Sequence, residues 1–104
     1  MFKEKLLREI LEFMEKKRKF WFTKEEFLIY LYYKYRRIRF ETIIVQLRKL
    51  AREGFLSKKR VQIPEWGFCY YIIYYVNRNK IKSYLLRNEL NNKLDLMVYS
   101  YAKQ

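Results

Sequence analysis

Residues 38–56 read I-R-F-E-T-I-I-V-Q-L-R-K-L-A-R-E-G-F-L, and they are followed by S-K-K-R-V-Q-I (57–63), P-E-W-G (64–67) and F-C-Y-Y-I-I-Y-Y-V (68–76). The first run predicts a helix over about Phe40 to Glu53, ended by Gly54, a residue suited to the left-handed turn that closes helices. At a period of 3.6 residues, Ile43, Leu47, Leu50 and Ala51 fall on its inner face. Glu41, Thr42, Val45, Arg48, Lys49 and Arg52 fall on its outer face. The next two runs predict a β-hairpin whose first strand carries Lys58, Lys59 and Arg60. A helix held beside a basic hairpin lets a small domain set one element in the DNA major groove and another along the phosphates.

A four-residue loop at 64–67 pairs Ile63 with Phe68. That register puts Val61, Ile63, Phe68, Tyr70, Ile72 and Tyr74 on a core face. It puts Lys58, Arg60 and Gln62 on the other face, opposite Ile73, Tyr71 and Cys69. Slipping the register by one residue exchanges the faces. Upstream, residues 3–18 predict a first helix from Leu6, Leu7, Ile10, Leu11, Phe13 and Met14, with Lys16 to Lys19 complementing its negative end. Phe20-Trp21-Phe22 reads as a short strand that joins the hairpin. Thr23 with Glu26 is a capping box that opens a second helix, running to about Tyr35 and apolar almost all round. Arg36-Arg37-Ile38-Arg39 is the turn into the third helix. Downstream, Asn77 to Asn79 break the pattern, and about Lys80 to Ala102 read as a last helix on Ile81, Leu85, Leu86, Leu90, Leu94, Met97 and Tyr101, with an interruption expected at Asn91-Asn92. The order predicts an α+β fold in a single domain, 1–104, with a core over 1–76 and an added C-terminal helix over 77–104.

With 104 residues, 51% of them hydrophobic, the chain can close one packed core. Aromatic residues make up 20%, which exceeds what one small core needs and implies aromatic surface for a partner. The formal net charge is +13, from 24 cations and 11 carboxylates. It is spread as +3, +4, +2 and +4 over residues 1–22, 23–56, 57–76 and 77–104, so it belongs to a folded surface that attracts polyanions. No apolar run reaches transmembrane length, and residues 1–4 do not open a signal peptide. The expected location is cytoplasmic, the host cytoplasm if the source is viral. One cysteine and no histidine argue against a zinc site and an internal disulfide, and exclude an imidazole base. The carboxylates sit beside Lys or Arg in helices, and no phosphate-binding glycine loop occurs. The expectation is no enzyme, no cofactor and no metal.

The segment from about Phe20 to Val76 resembles the winged helix-turn-helix family. The resemblance rests on residues 42–56, T-I-I-V-Q-L-R-K-L-A-R-E-G-F-L, which are similar to the recognition-helix run of regulators in the MarR, ArsR and PadR groups. Leu47, Leu50, Gly54, Phe55 and Leu56 occupy the places of two leucines, a glycine and an apolar pair that begins the wing. Abundant Lys, Tyr and Ile without His resembles small winged-helix proteins of hyperthermophilic archaea, their viruses and plasmids. The resemblance implies a double-stranded DNA-binding transcriptional regulator. Thr42, Val45 and Gln46 would then meet base edges. Arg36, Arg37, Arg39, Arg48, Lys49 and Arg52 would flank the helix on the backbone, with Lys58, Lys59 and Arg60 on the wing. Phe40, Glu41 and Ile44 depart from the small polar or basic residues usual at the start of such a helix. The C-terminal helix, with the apolar second helix, implies a homodimer. Two other readings stay open: a sequence-indifferent architectural or replication-associated DNA binder, and a protein-interaction module using Phe40, Ile44, Val45 and the second helix.

Overall fold

In the computed structural model the elements follow the order α1 (Phe2–Lys17), β1 (Trp21–Thr23), α2 (Lys24–Tyr35), α3 (Phe40–Arg52), β2 (Leu56–Gln62), β3 (Tyr70–Val76) and α4 (Arg78–Ala102). The three strands form one antiparallel sheet in the order β1-β3-β2, so the class is α+β. The structure describes residues 2–62 and 70–102, with side chains described as far as residue 92. The expected turn at 64–67 lies outside the described residues, together with Ile63, Trp66, Phe68 and Cys69. The side chains of Leu94, Met97 and Tyr101 do so as well.

Local chemistry sets each junction. Thr23 and Glu26 form the expected capping box: the Glu26 N–H donates to Thr23 Oγ1 at 3.2 Å, and the Thr23 N–H donates to Glu26 Oε2 at 3.1 Å. Helix α3 closes at Gly54, with φ +87. There the Gly54 N–H donates to the Ala51 carbonyl at 3.2 Å and the Phe55 N–H to the Leu50 carbonyl at 3.0 Å. Arg18 (φ 53) and Arg36 (φ 61) take the same left-handed conformation after α1 and α2. An L side chain there meets the steric cost that glycine avoids.

Leu7, Ile10, Phe13 and Met14 of α1 meet Phe27 of α2, Leu47 and Leu50 of α3, and Ile81 of α4 in one buried core. The sheet closes this core with Phe22, Leu56, Tyr74 and Val76. Phe22 lies 5.0 Å from Phe27 and 5.7 Å from Tyr74 by ring centroid, which locks β1 and β3 onto α2. Glu9 is buried in α1, and its carboxylate accepts from Lys34 Nζ at 2.9 and 3.0 Å and from the Tyr35 hydroxyl. Hydrogen bonds to Glu9 and Glu12 push the Lys34 ammonium above its usual range. The surplus apolar surface expected of α2 is present, since Ile29, Tyr32, Tyr33 and Tyr35 are exposed while Phe27, Leu28 and Leu31 are buried.

The hairpin register differs by one residue from the expected one. Lys58 lies opposite Tyr74, Arg60 opposite Ile72 and Gln62 opposite Tyr70, instead of Ile73, Tyr71 and Cys69. The base of the hairpin accounts for this register. The α3 cap fixes Phe55, whose carbonyl accepts from the Asn77 N–H at 3.0 Å. Leu56 and Val76 are then paired and both buried. With a side-chain period of two, Lys58 and Arg60 follow Leu56 onto the helix side of the sheet, whereas Ser57, Lys59 and Val61 take the far side.

Helix α4 starts at Arg78, two residues before the expected start. Asn77 is its cap, with Oδ1 accepting from the Lys80 N–H at 3.2 Å. The helix also runs through Asn91-Asn92 without the expected break. Its 25 residues make it ~37 Å long. This accords with a molecule 69 × 28 × 24 Å in extent, whose radius of gyration of 17.2 Å exceeds the ~13 Å of a compact chain of this length.

Candidate nucleic-acid interface

Helix α3 is amphipathic, and the core holds it by one face through Ile43, Leu47 and Leu50. Its other face is exposed among the described residues. Glu41, Thr42, Val45, Arg48, Lys49 and Arg52 are all exposed, at helical spacings of three and four, while Gln46 and Ile44 are half-buried. The apolar start of the helix is split: Ile44 packs against the core, whereas Phe40 is 45% exposed and meets the Tyr32 ring edge-on at 6.3 Å. Arg39 is the N-cap residue and supplies no side-chain cap, so the first N–H groups of α3 point outward beside Arg37 and Arg39.

The register of the hairpin decides which of its cations join α3. Lys58 and Arg60 lie on the helix side of the sheet, and Lys58 lines a shallow groove with Arg48, Ala51, Arg52, Leu56 and Ser57. Arg60 stands over the Tyr70 ring, 5.0 Å from its centroid. Lys59 is turned to the opposite face, over Tyr75 at 5.1 Å. The structure thus brings Arg48, Arg52 and Lys58 together, sets Lys49 beside them on α3, and separates Lys59 from them. Arg36, Arg37 and Arg39 stand at the other end of α3. Arg39 and Thr42 share a shallow depression with Ile38, Phe40 and Glu41. Arg37 borders a small apolar cavity lined by Phe2, Leu6, Leu31, Tyr35, Ile38 and Ile43, among others.

Charge is segregated. The ion pairs among the described residues use Lys3, Arg8, Lys16, Lys19, Lys24 and Lys34 on α1, α2 and their connection. Arg36, Arg37, Arg39, Arg48, Lys49, Arg52, Lys58, Lys59 and Arg60 take part in none of them. Of the two carboxylates on α3 and its cap, Glu53 is paired with Lys3 and Glu41 stands in the first turn, while Glu25 of α2, like Arg48, acts on the Tyr74 hydroxyl. Burial pushes the Tyr74 hydroxyl up against the opposing influence of the Arg48 charge.

Sequence reasoning set Tyr71 and Ile73 on an outer face of the hairpin, but with Lys58 and Arg60 in the place of Lys59 and without Trp21 and Phe20. Trp21, Tyr75, Tyr71 and Lys59 share the far side of the sheet, with Lys19 and Phe20 at its edge. The signal was available in the alternation of Trp21 and Thr23 against Phe22, once β1 is paired with β3. Among the described residues, no three His, Cys, Asp or Glu side chains converge to hold a metal, and no helix is long and apolar enough to cross a membrane. Compared with protein-family models, curated proteins and solved structures, the chain matches none.

Proposed function

We propose that the chain is a winged helix-turn-helix protein that binds double-stranded DNA and acts as a homodimeric transcriptional regulator. Helix α3 enters the major groove, which is about 12 Å wide and admits a helix. The β2–β3 hairpin serves as a wing on the neighbouring backbone. The observation that carries this reading is the set of cations on α3, its preceding turn and the helix side of β2 that form no ion pair among the described residues, on a chain of net charge +13. Thr42, Val45 and Gln46 lie where base edges would be read, with Arg48, Lys49, Arg52, Lys58 and Arg60 along phosphates. Exposed Leu86 and Leu90 on α4, and Ile29 and Tyr33 on α2, supply apolar surface for a second copy.

A second reading, a sequence-indifferent architectural binder, is favoured by the exposed start of α3. Phe40 and Val45 are each 45% exposed, and neither donates a hydrogen bond to a base. Binding to a labelled random duplex and to the DNA upstream of the coding sequence, over a salt series, separates the readings. A footprint on the upstream DNA that survives random competitor supports the regulator. Equal, steeply salt-dependent binding to both supports the architectural role. No binding to either at low salt refutes both.

A further inference from the structure

The far face of the sheet carries a second, different chemistry. Trp21 and Thr23 of β1, Tyr71, Ile73 and Tyr75 of β3, and Ser57, Lys59 and Val61 of β2 share it by strand alternation. Phe20, just before β1, stacks on Tyr75 with ring centroids 5.8 Å apart and planes at 28°. Lys19 Nζ rests 4.0 Å from the Trp21 ring centroid and Lys59 Nζ 5.1 Å from that of Tyr75. Phe20 is 59% and Tyr71 36% exposed, while Trp21 and Tyr75 are half-buried beneath Lys19, Phe20 and Lys59. Phe20 also stands in an open groove with Arg18, Lys19, Arg78 and Glu15. Lys19 is paired with Glu26 at 2.7 Å, and Arg78 donates to the Lys19 carbonyl at 3.0 Å.

We propose that this face is a stacking platform for single-stranded nucleic acid, separate from the duplex surface on α3. A ring face that attracts an ammonium group also stacks a base, because both use the same π surface. A base arriving on Trp21 or Tyr75 displaces Lys19 or Lys59 sideways, where the ammonium meets the flanking phosphate. Tyr75 and Tyr71 are four residues apart on one strand, about 14 Å at ~3.4 Å per residue. Sheet-mounted aromatics hold about two or three bases over such a span. Charge selects this occupant over a second copy of the chain. A two-fold interface here would bring the Arg18, Lys59 and Arg78 charges of both copies into one contact, with Lys19 alone paired to Glu26, whereas a polyanion complements them.

The test measures anisotropy of labelled twelve-nucleotide oligothymidylate, oligouridylate and an abasic twelve-mer with the same phosphates. In a Trp66→Phe background, Trp21 is the one remaining tryptophan and reports stacking by fluorescence quenching. Expected are tighter binding of both base-bearing oligomers than of the abasic one, and quenching of Trp21. Phe20→Ala/Tyr71→Ala, with Phe20→Ala alone as the milder variant, should weaken the base-bearing oligomers about tenfold or more and leave duplex binding unchanged. Arg48→Ala/Lys49→Ala should do the reverse, so failure of this proposal is distinguishable from failure of the duplex reading. The arms with thymidylate and uridylate assign the ligand to DNA or RNA. Equal affinity for the abasic oligomer overturns the platform, as does indifference to Phe20→Ala. A concentration-dependent doubling of mass that Phe20→Ala/Tyr71→Ala abolishes overturns it too, and makes the face an interface between copies.

Discussion

Neutralising the groove between α3 and β2 should weaken duplex binding by an amount that follows from counting cations. Arg48, Arg52 and Lys58 line one groove, and among the described residues none of them is held by a carboxylate. Each phosphate contact contributes about 0.9 to the slope of log K against log salt, hence about 0.7 log units of affinity at ~0.15 M salt. Arg48→Ala/Arg52→Ala/Lys58→Ala should therefore flatten the slope by about 2.7 and weaken binding by roughly 150-fold, about 3 kcal/mol, at ~0.15 M salt. Lys59→Ala is the internal control, because Lys59 is adjacent in sequence but lies on the opposite face. It should leave the duplex slope unchanged, while Lys58→Ala removes about 0.9. The assay is fluorescence anisotropy with a random duplex of about 20 base pairs from 50 to 300 mM salt, with circular dichroism confirming the fold of each variant. A triple variant with an unchanged slope, or equal effects of Lys58→Ala and Lys59→Ala, would show that the duplex does not lie along this groove.

Three further outcomes test the elements that position the surface. Gly54→Ala should lower stability by about 1–2 kcal/mol, because φ +87 suits glycine alone; an added Cβ would also stand 2.7 Å from Lys80 Nζ. Thermal melting checks this, and an unchanged midpoint contradicts the cap assignment. Arg18→Gly should work in the opposite sense and raise stability by up to about 1 kcal/mol, since Arg18 holds a left-handed conformation at φ 53. Glu26 gives a pH signature. Burial pushes its carboxyl up, but hydrogen bonds from Lys19 and Thr23 outweigh that and hold it below its ordinary 4.5. A lowered folded value means that this contribution is present above pH 4.5 and is lost as pH falls through the folded value. Melts from pH 7 to pH 3 should show the loss, and Glu26→Gln should show less of it. Identical acid profiles would remove Glu26 from the account.

The legible and illegible parts of this chain divide along a physical line. Caps and helix faces depend on residues three and four apart, so Thr23 with Glu26, Gly54, and the Ile43-Leu47-Leu50 face could be read directly. The hairpin faces could not, because a strand has a period of two and one residue of offset reverses every side chain. The expected register was anchored on the tip, at Pro64 to Gly67. The structure anchors it at the base, where the α3 cap places Phe55 and the core takes Leu56, Tyr74 and Val76. That contact joins residues about twenty apart and has no local signature. Its consequence reaches function, for it moves Lys58 and Arg60 to the side of α3 and sends Lys59 to the far face. In sequence, Lys58-Lys59-Arg60 looks like one basic patch. In the fold it is two cations for one surface and one for another, and for that reason Lys58→Ala and Lys59→Ala should separate duplex binding from single-strand binding.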